Sequence, residues 1–543
     1  MKAADLFLRC LEKQGVKYMF GVPGEENLEL MDAIKDSPIQ FIVTRHETGG
    51  AFIAGVMGYF TGTPGVCLAT LGPGATNMVT GVATANMDGM PLVAITGQAE
   101  LSNMHEEYHQ YFDLVELYKP VTKWSSSVKT AEGIPEIIGN AFLKALSGRT
   151  GAAHIELPKD VAAMPVQADP LPKAIVPSVT TVADEVGIRE AAKAIDEAKC
   201  PLVLIGKNVV REDVSTEIAS LLEKINAPFT ETFMAKGVMR ADHPFHLQTT
   251  GIPQKDFIHL AFEHADLIIT IGYDMVEYGP KKWNSTFTPV VHIHTMEAEK
   301  DRYYPIKASL LGNIKSNLDR LAQMVKRKEK KDPFYDNLKK RIDEDARLHV
   351  ESDAFPMVPE RIIADIRSVL AEDDILLSDV GAHKVWIGRH YNAFKPNTCI
   401  ISNGLATMGI ALPGAIGAKL ANPDRKVVAV CGDGSFVMSS PEIETAVRLN
   451  LPIVILVWRD GRYGLIEWKQ MNEFHRASNI EFGDPDFAAL AKAYGATGYK
   501  ISKADEFKPT LQKALSHEGP VIIECPYDYK ENFRLSERLK KLQ

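Results

Sequence analysis

The sequence predicts an α/β protein of three domains, each a mainly parallel sheet flanked by helices. Three observations carry this. The chain has 543 residues, too many for one hydrophobic core when domains usually hold about 100–200 residues. Strand-length apolar runs alternate with helical or glycine-rich segments along most of it, the pattern of a parallel sheet covered by helices. Two stretches break the alternation. Residues 162–187 carry Pro165, Pro170, Pro172 and Pro177 without clear periodicity, and the charge-rich residues 326–356 end at Pro356.

The first domain is expected over residues 1–165. Residues 3–14 have helical spacing, with Leu6, Phe7, Cys10 and Leu11 on one face. Tyr18–Val22 then reads as a strand broken by Pro23-Gly24, and Phe41–Thr44, Gly65–Thr70 and Leu92–Thr96 read as further strands. The central domain is expected over 188–325, with strands Leu202–Ile205 and Leu267–Ile271. The third, over 357–530, contains Ile375–Leu377, Val427–Val430 and Ile453–Val457, and residues 531–543 form a C-terminal tail. The first and third domains have similar length and layout, without a residue-level repeat.

Composition removes several classes of function. Hydrophobic residues make up 45% and charged residues 24%, as in ordinary soluble globular proteins. The formal charge of −9 argues against a nucleic-acid partner, and the one dense basic run, Lys326–Lys331, is followed by acidic residues. Six cysteines without a CxxC pair suggest neither a zinc knuckle nor a disulfide framework. Reduced, buried thiols in a cytoplasmic protein are expected instead. The N-terminus has no long apolar run and the longest apolar stretches are strand-length, so no membrane partner is expected.

The strongest chemical signal begins at Val427-Val428-Ala429-Val430-Cys431, which runs into Gly432-Asp433-Gly434-Ser435-Phe436. A helix is expected from Ser439-Ser440-Pro441-Glu442, with serine as its cap and Pro441 at an early position. Glycines let the backbone approach a phosphate, and the exposed amides suit an anion. Asp433 adds a hard oxygen ligand, suited to magnesium or calcium rather than zinc. A second strand, Ile453–Val457, leads to Asp460, 27 positions after Asp433. One strand–helix–strand unit of that length brings adjacent strand ends together, so the two carboxylates can share one metal. The backbone carbonyl of Arg462 is a candidate further ligand. Alone, Gly-Asp-Gly is usually an ordinary turn, and Phe436-Val437 rules out GxGxxG. The second aspartate favours a metal–diphosphate site.

Gly432-Asp433-Gly434 followed by Asp460 resembles the motif of thiamine diphosphate (ThDP) enzymes, which pairs GDG with an Asn at a similar interval. In the N-terminal domain, Phe41-Ile42-Val43-Thr44-Arg45-His46-Glu47 ends a strand in a glutamate that matches the family's cofactor-activating residue. Such a carboxyl bonds the pyrimidine N1′ and favours the tautomer that removes the thiazolium proton, and burial that raises its pKa eases proton sharing. By itself, Glu47 would be read as a helix-start carboxylate answering the macrodipole. The resemblance further implies cofactor contacts from the Pro23-Gly24 turn and from Asn77 in Leu71-Gly72-Pro73-Gly74-Ala75-Thr76-Asn77. It also implies contacts from Gly381, Ala382 and His383, and from Gly432, Gly434 and Ser435. Met408 would sit beneath the bent cofactor, although a methionine is more often core packing. The resemblance also implies cofactor contacts from Tyr463 and Gly464, which begin the segment that covers the acceptor pocket in the family. The fold implied is that of ThDP enzymes, with pyrimidine-binding, central Rossmann-like and diphosphate-binding domains.

Within that family the chain resembles the acetolactate synthases, and in them the catabolic, flavin-free branch. The features are Glu444–Leu449 after GDG, His109-Gln110 where the family places a catalytic glutamine, and the acidic Asp460. The resemblance implies ThDP and Mg²⁺ as cofactors and 2-oxo acids as substrates. One pyruvate loses carbon dioxide and its hydroxyethyl unit is joined to a second 2-oxo acid. Gln110 would orient the acceptor and His109 would handle charge or protons. It also implies a homodimer or homotetramer, with Glu47 from one subunit and Asp433 from another in each site. No flavin signature appears in residues 190–325, so no FAD is expected. Glu25 follows the turn where the family commonly has a small residue, and would repel an anionic acceptor or donate a proton if it faces the site. Lys469 aligns with the acceptor-selecting position with Trp468 beside it, and a one-residue shift exchanges them. A decarboxylase that does not ligate is the alternative reading, since it shares every cofactor residue.

Overall fold

The computed structural model describes residues 1–105, 107–176, 179–252 and 255–541. Pro177 of the first interruption and the last two residues of the tail lie outside the described residues. The chain forms three six-stranded sheets, entirely parallel and flanked by helices.

The first sheet contains Tyr18–Gly21, Gln40–Val43, Gly65–Ala69, Leu92–Gln98, Trp124–Ser127 and Ala152–Pro158, in spatial order 2-1-3-4-6-5. The third contains Ile375–Ser378, Cys399–Ile401, Val427–Gly432, Ile453–Arg459, Thr497–Lys500 and Val521–Pro526, and has the same order. The likeness of layout between these domains is thus a shared topology. The central sheet runs Pro201–Ile205, Phe229–Thr232, His246–Thr250, Leu267–Ile271, Val290–His294 and Ile306–Leu311 in order 3-2-1-4-5-6, the doubly wound order of dinucleotide-binding folds.

The strands form where the sequence is continuously apolar because helices cover both faces. Val427–Cys431 is buried throughout, and its register pairs Val427 with both Ile375 and Ile453. Three strand ends therefore reach one edge together, carrying Asp379, Asp433 and Asp460. This is the carboxyl edge beside the point where strand order reverses, the usual place for a ligand in such a sheet.

Two expectations change. A helix does begin at Glu442, where one is expected, but a short helix, Asp433–Ser439, precedes it, with the Asp433 carboxylate accepting the Gly434 amide (2.8 Å) in its first turn. The expected serine cap is not formed, because Pro441 holds the cap position and Ser440 bonds back to the Val437 carbonyl (3.2 Å). The charge-rich stretch 326–356 also contains a helix, Pro333–Ala346, capped by Asp332. Its Tyr335, Leu338 and Ile342 have helical spacing and are buried, a signal that the surrounding charges obscure.

The first and third domains pack closely. Helix Glu47–Thr61 lies against helix Ala411–Ala421, where a side chain on Gly417 would come within 2.3 Å of the Ile53 carbonyl. The buried Glu442 carboxylate reaches across to accept the amides of Arg45 (3.0 Å) and His46 (3.1 Å), the two residues before Glu47. Among the described residues, no helix is long and apolar enough to cross a membrane.

Candidate active site

The residues singled out in the sequence fall into two groups, one at the carboxyl edge of each outer sheet. In the third domain they surround a cavity of about 250 Å³. One wall is the turn Gly381-Ala382-His383 with Met408, another is Gly432, Gly434 and Ser435, and the third is Arg462, Tyr463 and Gly464. Asp433 and Asp460 lie between them, joined by Trp458 and Tyr527.

Asp433 is buried and fixes two loops. Its Oδ1 accepts the Gly434 amide, and its Oδ2 accepts the amides of Asp460 (3.0 Å) and Gly461 (2.7 Å). Asp460 accepts the Arg462 amide at Oδ1 (3.3 Å) and the Tyr527 hydroxyl at Oδ2 (2.8 Å). All of these bonds come from neutral donors. Burial, and then the neighbouring Asp433 charge, pushes Asp460 up to about 7, and burial also raises Asp433. Two carboxylates held together at this cost in ionisation are what a divalent cation reverses, and their hard oxygens match magnesium.

His383 points to the diphosphate. Its ring is buried, one nitrogen bonds the Asp379 backbone, and Nε2 has no partner although it lines the cavity. Burial holds its pKa down to about 3, so the free ring is neutral. Glycine at 381 leaves room for the ring, since a Cβ there would lie 2.7 Å from it, and a Cβ on Gly432 would crowd it at 3.2 Å. Nε2 would face a diphosphate oxygen, whose charge would favour the protonated, donating ring. Amides at the start of helix Asp433–Ser439 supply further anion donors. The buried Asp379 joins this turn to the Met408 segment by accepting the amides of Val380 (2.7 Å), Gly409 (2.8 Å) and Ala411 (3.0 Å). These residues fit a metal-bound diphosphate.

The second group lies in the first domain. Glu47 is the first residue of its helix, whose cap is His46. Asn77 Nδ2 donates to Glu47 Oε2 (3.0 Å), and Gly74 stands beside Oε1. Gly72 has φ +56°, and a Cβ there would lie 2.7 Å from Gln110 Cβ, so the glycine turn holds Gln110 beside it. His109 and Gln110 are exposed. Pro23 and Gly24 meet the same turn, where a Cβ on Gly24 would strike Thr70 at 2.3 Å.

Two expected pocket residues point elsewhere. Trp468 is fully buried and donates to Ser536 Oγ (2.7 Å), so its ring belongs to the core and Lys469 occupies the exposed side of that helix. Glu25 pairs with Lys159 on the surface (3.4 Å). The next residue, Glu26, is the one drawn into the turn, where Thr70 donates to it at 2.6 Å. The tight helical turn Glu25–Asn27 turns the two carboxylates apart. Sequence reasoning also missed Glu26, Thr70, Glu442, Asp379 and Tyr527 as supports. Of these, Thr70 and Glu442 stood in segments already singled out, as a strand end and as an expected helix start.

Tyr527 has a measurable role. It holds the Asp460 oxygen turned away from Oδ1, and loss of such a supporting bond costs about 10–100-fold in metal affinity. Tyr527→Phe is expected to raise the Mn²⁺ dissociation constant by about that factor while the fold is kept. Equilibrium dialysis checks it, and unchanged affinity would remove Tyr527 from this role.

These two cradles, a carboxylate pair beside diphosphate donors and an amide-held glutamate, define a thiamine diphosphate enzyme. Family models agree. The thiamine pyrophosphate enzyme N-terminal TPP binding domain matches residues 1–117, the central domain 188–321 and the C-terminal TPP binding domain 379–525. The chain is 36% identical to an acetolactate synthase of Bacillus subtilis, covering 99% of this chain and 96% of the relative. It is also 36% identical to a catabolic acetolactate synthase of Raoultella terrigena, covering 97% and 95%. A probable acetolactate synthase large subunit of Methanocaldococcus jannaschii is 34% identical over 98% and 93%. The chain belongs to the acetolactate synthase family of thiamine diphosphate enzymes.

Proposed function

We propose that this chain is a Mg²⁺- and ThDP-dependent acetolactate synthase that decarboxylates pyruvate and joins the hydroxyethyl unit to a second 2-oxo acid. The observation that carries it is the paired cradle of Asp433 and Asp460 beside the unpartnered Nε2 of His383. Thiamine diphosphate, when bound, supplies the electron sink for loss of carbon dioxide. Asp433 and Asp460, with the Arg462 carbonyl, hold Mg²⁺. His383, Ser435 and the adjoining amides hold the diphosphate. Met408 supports the bend, and Tyr463 and Gly464 close the cavity.

Glu47 holds a proton at the pyrimidine, with Asn77 fixing which oxygen faces it. Gln110 orients the acceptor carbonyl by hydrogen bonding, and His109 beside it handles the accompanying charge. Lys469 pairs with the acceptor carboxylate from its exposed position. The surface pairing of Glu25 with Lys159 takes away a proton donor that would favour release of an aldehyde.

A site completed by two subunits is part of this reading. The cavity lining contains neither Glu47, Asn77 nor Gln110. Exposed apolar side chains adjoin both groups: Leu405, Val437, Met438 and Ile466 by the cavity, and Tyr108 and Phe112 by Gln110. Such surface favours a partner, here a second copy in a homodimer or homotetramer. A cytoplasmic location and independence from FAD complete the proposal.

Product analysis tests the reaction. With pyruvate, ThDP and Mg²⁺, acetolactate, or acetoin after acid treatment, is expected as the main product. Acetaldehyde in its place would mark a decarboxylase and contradict the assignment.

A further inference from the structure

Far from the catalytic edges, three side chains of different chemistry converge. Five of the six cysteines are buried, and Cys200 alone is partly exposed. It stands just before strand Pro201–Ile205, at the amino edge of the central sheet. His264 ends helix Phe257–His264, and Asp332 caps helix Pro333–Ala346. The thiol sulfur, an imidazole nitrogen and a carboxylate oxygen lie within 4.8 Å of one another.

We propose that Cys200, His264 and Asp332 form a binding site for a borderline-soft divalent metal of the zinc class, with water in the fourth position. Sulfur, nitrogen and oxygen donors suit four-coordinate zinc, whereas magnesium avoids sulfur. The donors come from three chain segments, and each is held before any metal arrives. Cys200 is clamped at its backbone, its amide donating to Asp266 (2.9 Å) and its carbonyl accepting the Tyr335 hydroxyl (3.1 Å). The His264 ring stacks on Phe334 at 3.9 Å. Asp332 Oδ1 accepts the Phe334 amide (2.9 Å), leaving Oδ2 on His264 Nε2 (2.7 Å).

The charge balances. One thiolate and one carboxylate neutralise a divalent ion, and Asp196 and Asp266 lie close by. Lys328, a cation that interacts with Cys200, is turned onto the Ala198 carbonyl. As the metal–sulfur bond forms, the thiol proton leaves to solvent. The metal replaces the His264–Asp332 hydrogen bond, and the imidazole proton resides on Nδ1. Nothing is oxidised or reduced. The bound ion would tie helix Pro333–Ala346, in the segment joining the central and third domains, to the central sheet.

Cobalt reports directly on sulfur ligation. Titrating the holoenzyme, saturated with ThDP and Mg²⁺, with Co²⁺ is expected to give a thiolate-to-cobalt charge-transfer band at one equivalent per chain. Zn²⁺ should abolish it, and Cys200→Ser and His264→Ala, with wild-type circular dichroism, should lack it. No band in the wild type, or a band that persists in Cys200→Ser, would overturn the site. Should the variants fail to fold, alkylation of wild-type Cys200 followed by peptide mapping decides. Slower modification with Zn²⁺ supports the site, and an unchanged rate overturns it.

Discussion

Glu47→Gln is expected to lower turnover of pyruvate by about 10²–10⁴-fold, the range a single acid–base group supplies. Glutamine has the same length and can keep a hydrogen bond to Asn77, whose side chain meets Glu47 at 3.0 Å. The helix start is fixed independently, by His46 at the cap and by Glu442 on the amides of Arg45 and His46. Folding and ThDP affinity should therefore change little. What the amide cannot do is hold a proton at the pyrimidine and share it. Turnover, together with ThDP binding followed by the fluorescence of Trp458 in the cavity wall, separates the two effects. Near-normal turnover with bound ThDP would deny Glu47 its role.

Asp433→Ala should weaken Mg²⁺ and ThDP together. Loss of even a supporting partner of a metal ligand costs about 10–100-fold in affinity, so loss of the ligand itself should exceed about 100-fold. The side chain also organises its loops by accepting the amides of Gly434, Asp460 and Gly461. Alanine removes both functions, while Asp433→Asn keeps the volume and one acceptor oxygen. The asparagine variant should keep the fold and still bind the metal weakly. Equilibrium titration of each component in the presence of the other checks this, and unchanged affinity for both would remove Asp433 from the site.

Much of this site was legible because its chemistry is local in sequence. Glycine turns at strand ends betray themselves by composition, so Gly432-Asp433-Gly434 is legible directly, whereas Gly381-Ala382-His383 and the Gly72 turn are legible only through the family resemblance. The spacing between Asp433 and Asp460 encodes adjacent strands, and the Val427–Ile453 register bears that out. Supports that arrive from distant segments left no such signal. Glu442 acts 396 residues from His46, and Tyr527 acts 67 residues from Asp460. Side-chain direction was also illegible: neither Glu25 against Glu26 nor Trp468 against Lys469 can be assigned inward without knowing how the local turn winds. The metal-like cluster of Cys200, His264 and Asp332 is the extreme case, because three separated residues share no motif.

Catalysis is expected to need the Glu47 cradle of one subunit and the Asp433 cradle of another. Co-expression of Glu47→Gln and Asp433→Ala chains under two tags, followed by tandem purification, isolates the mixed oligomer. Each mixed dimer then holds one intact site and one doubly altered site, so about half the wild-type activity is expected from two nearly inactive parents. Mixed oligomers as inactive as their parents would show that the two cradles do not combine across subunits.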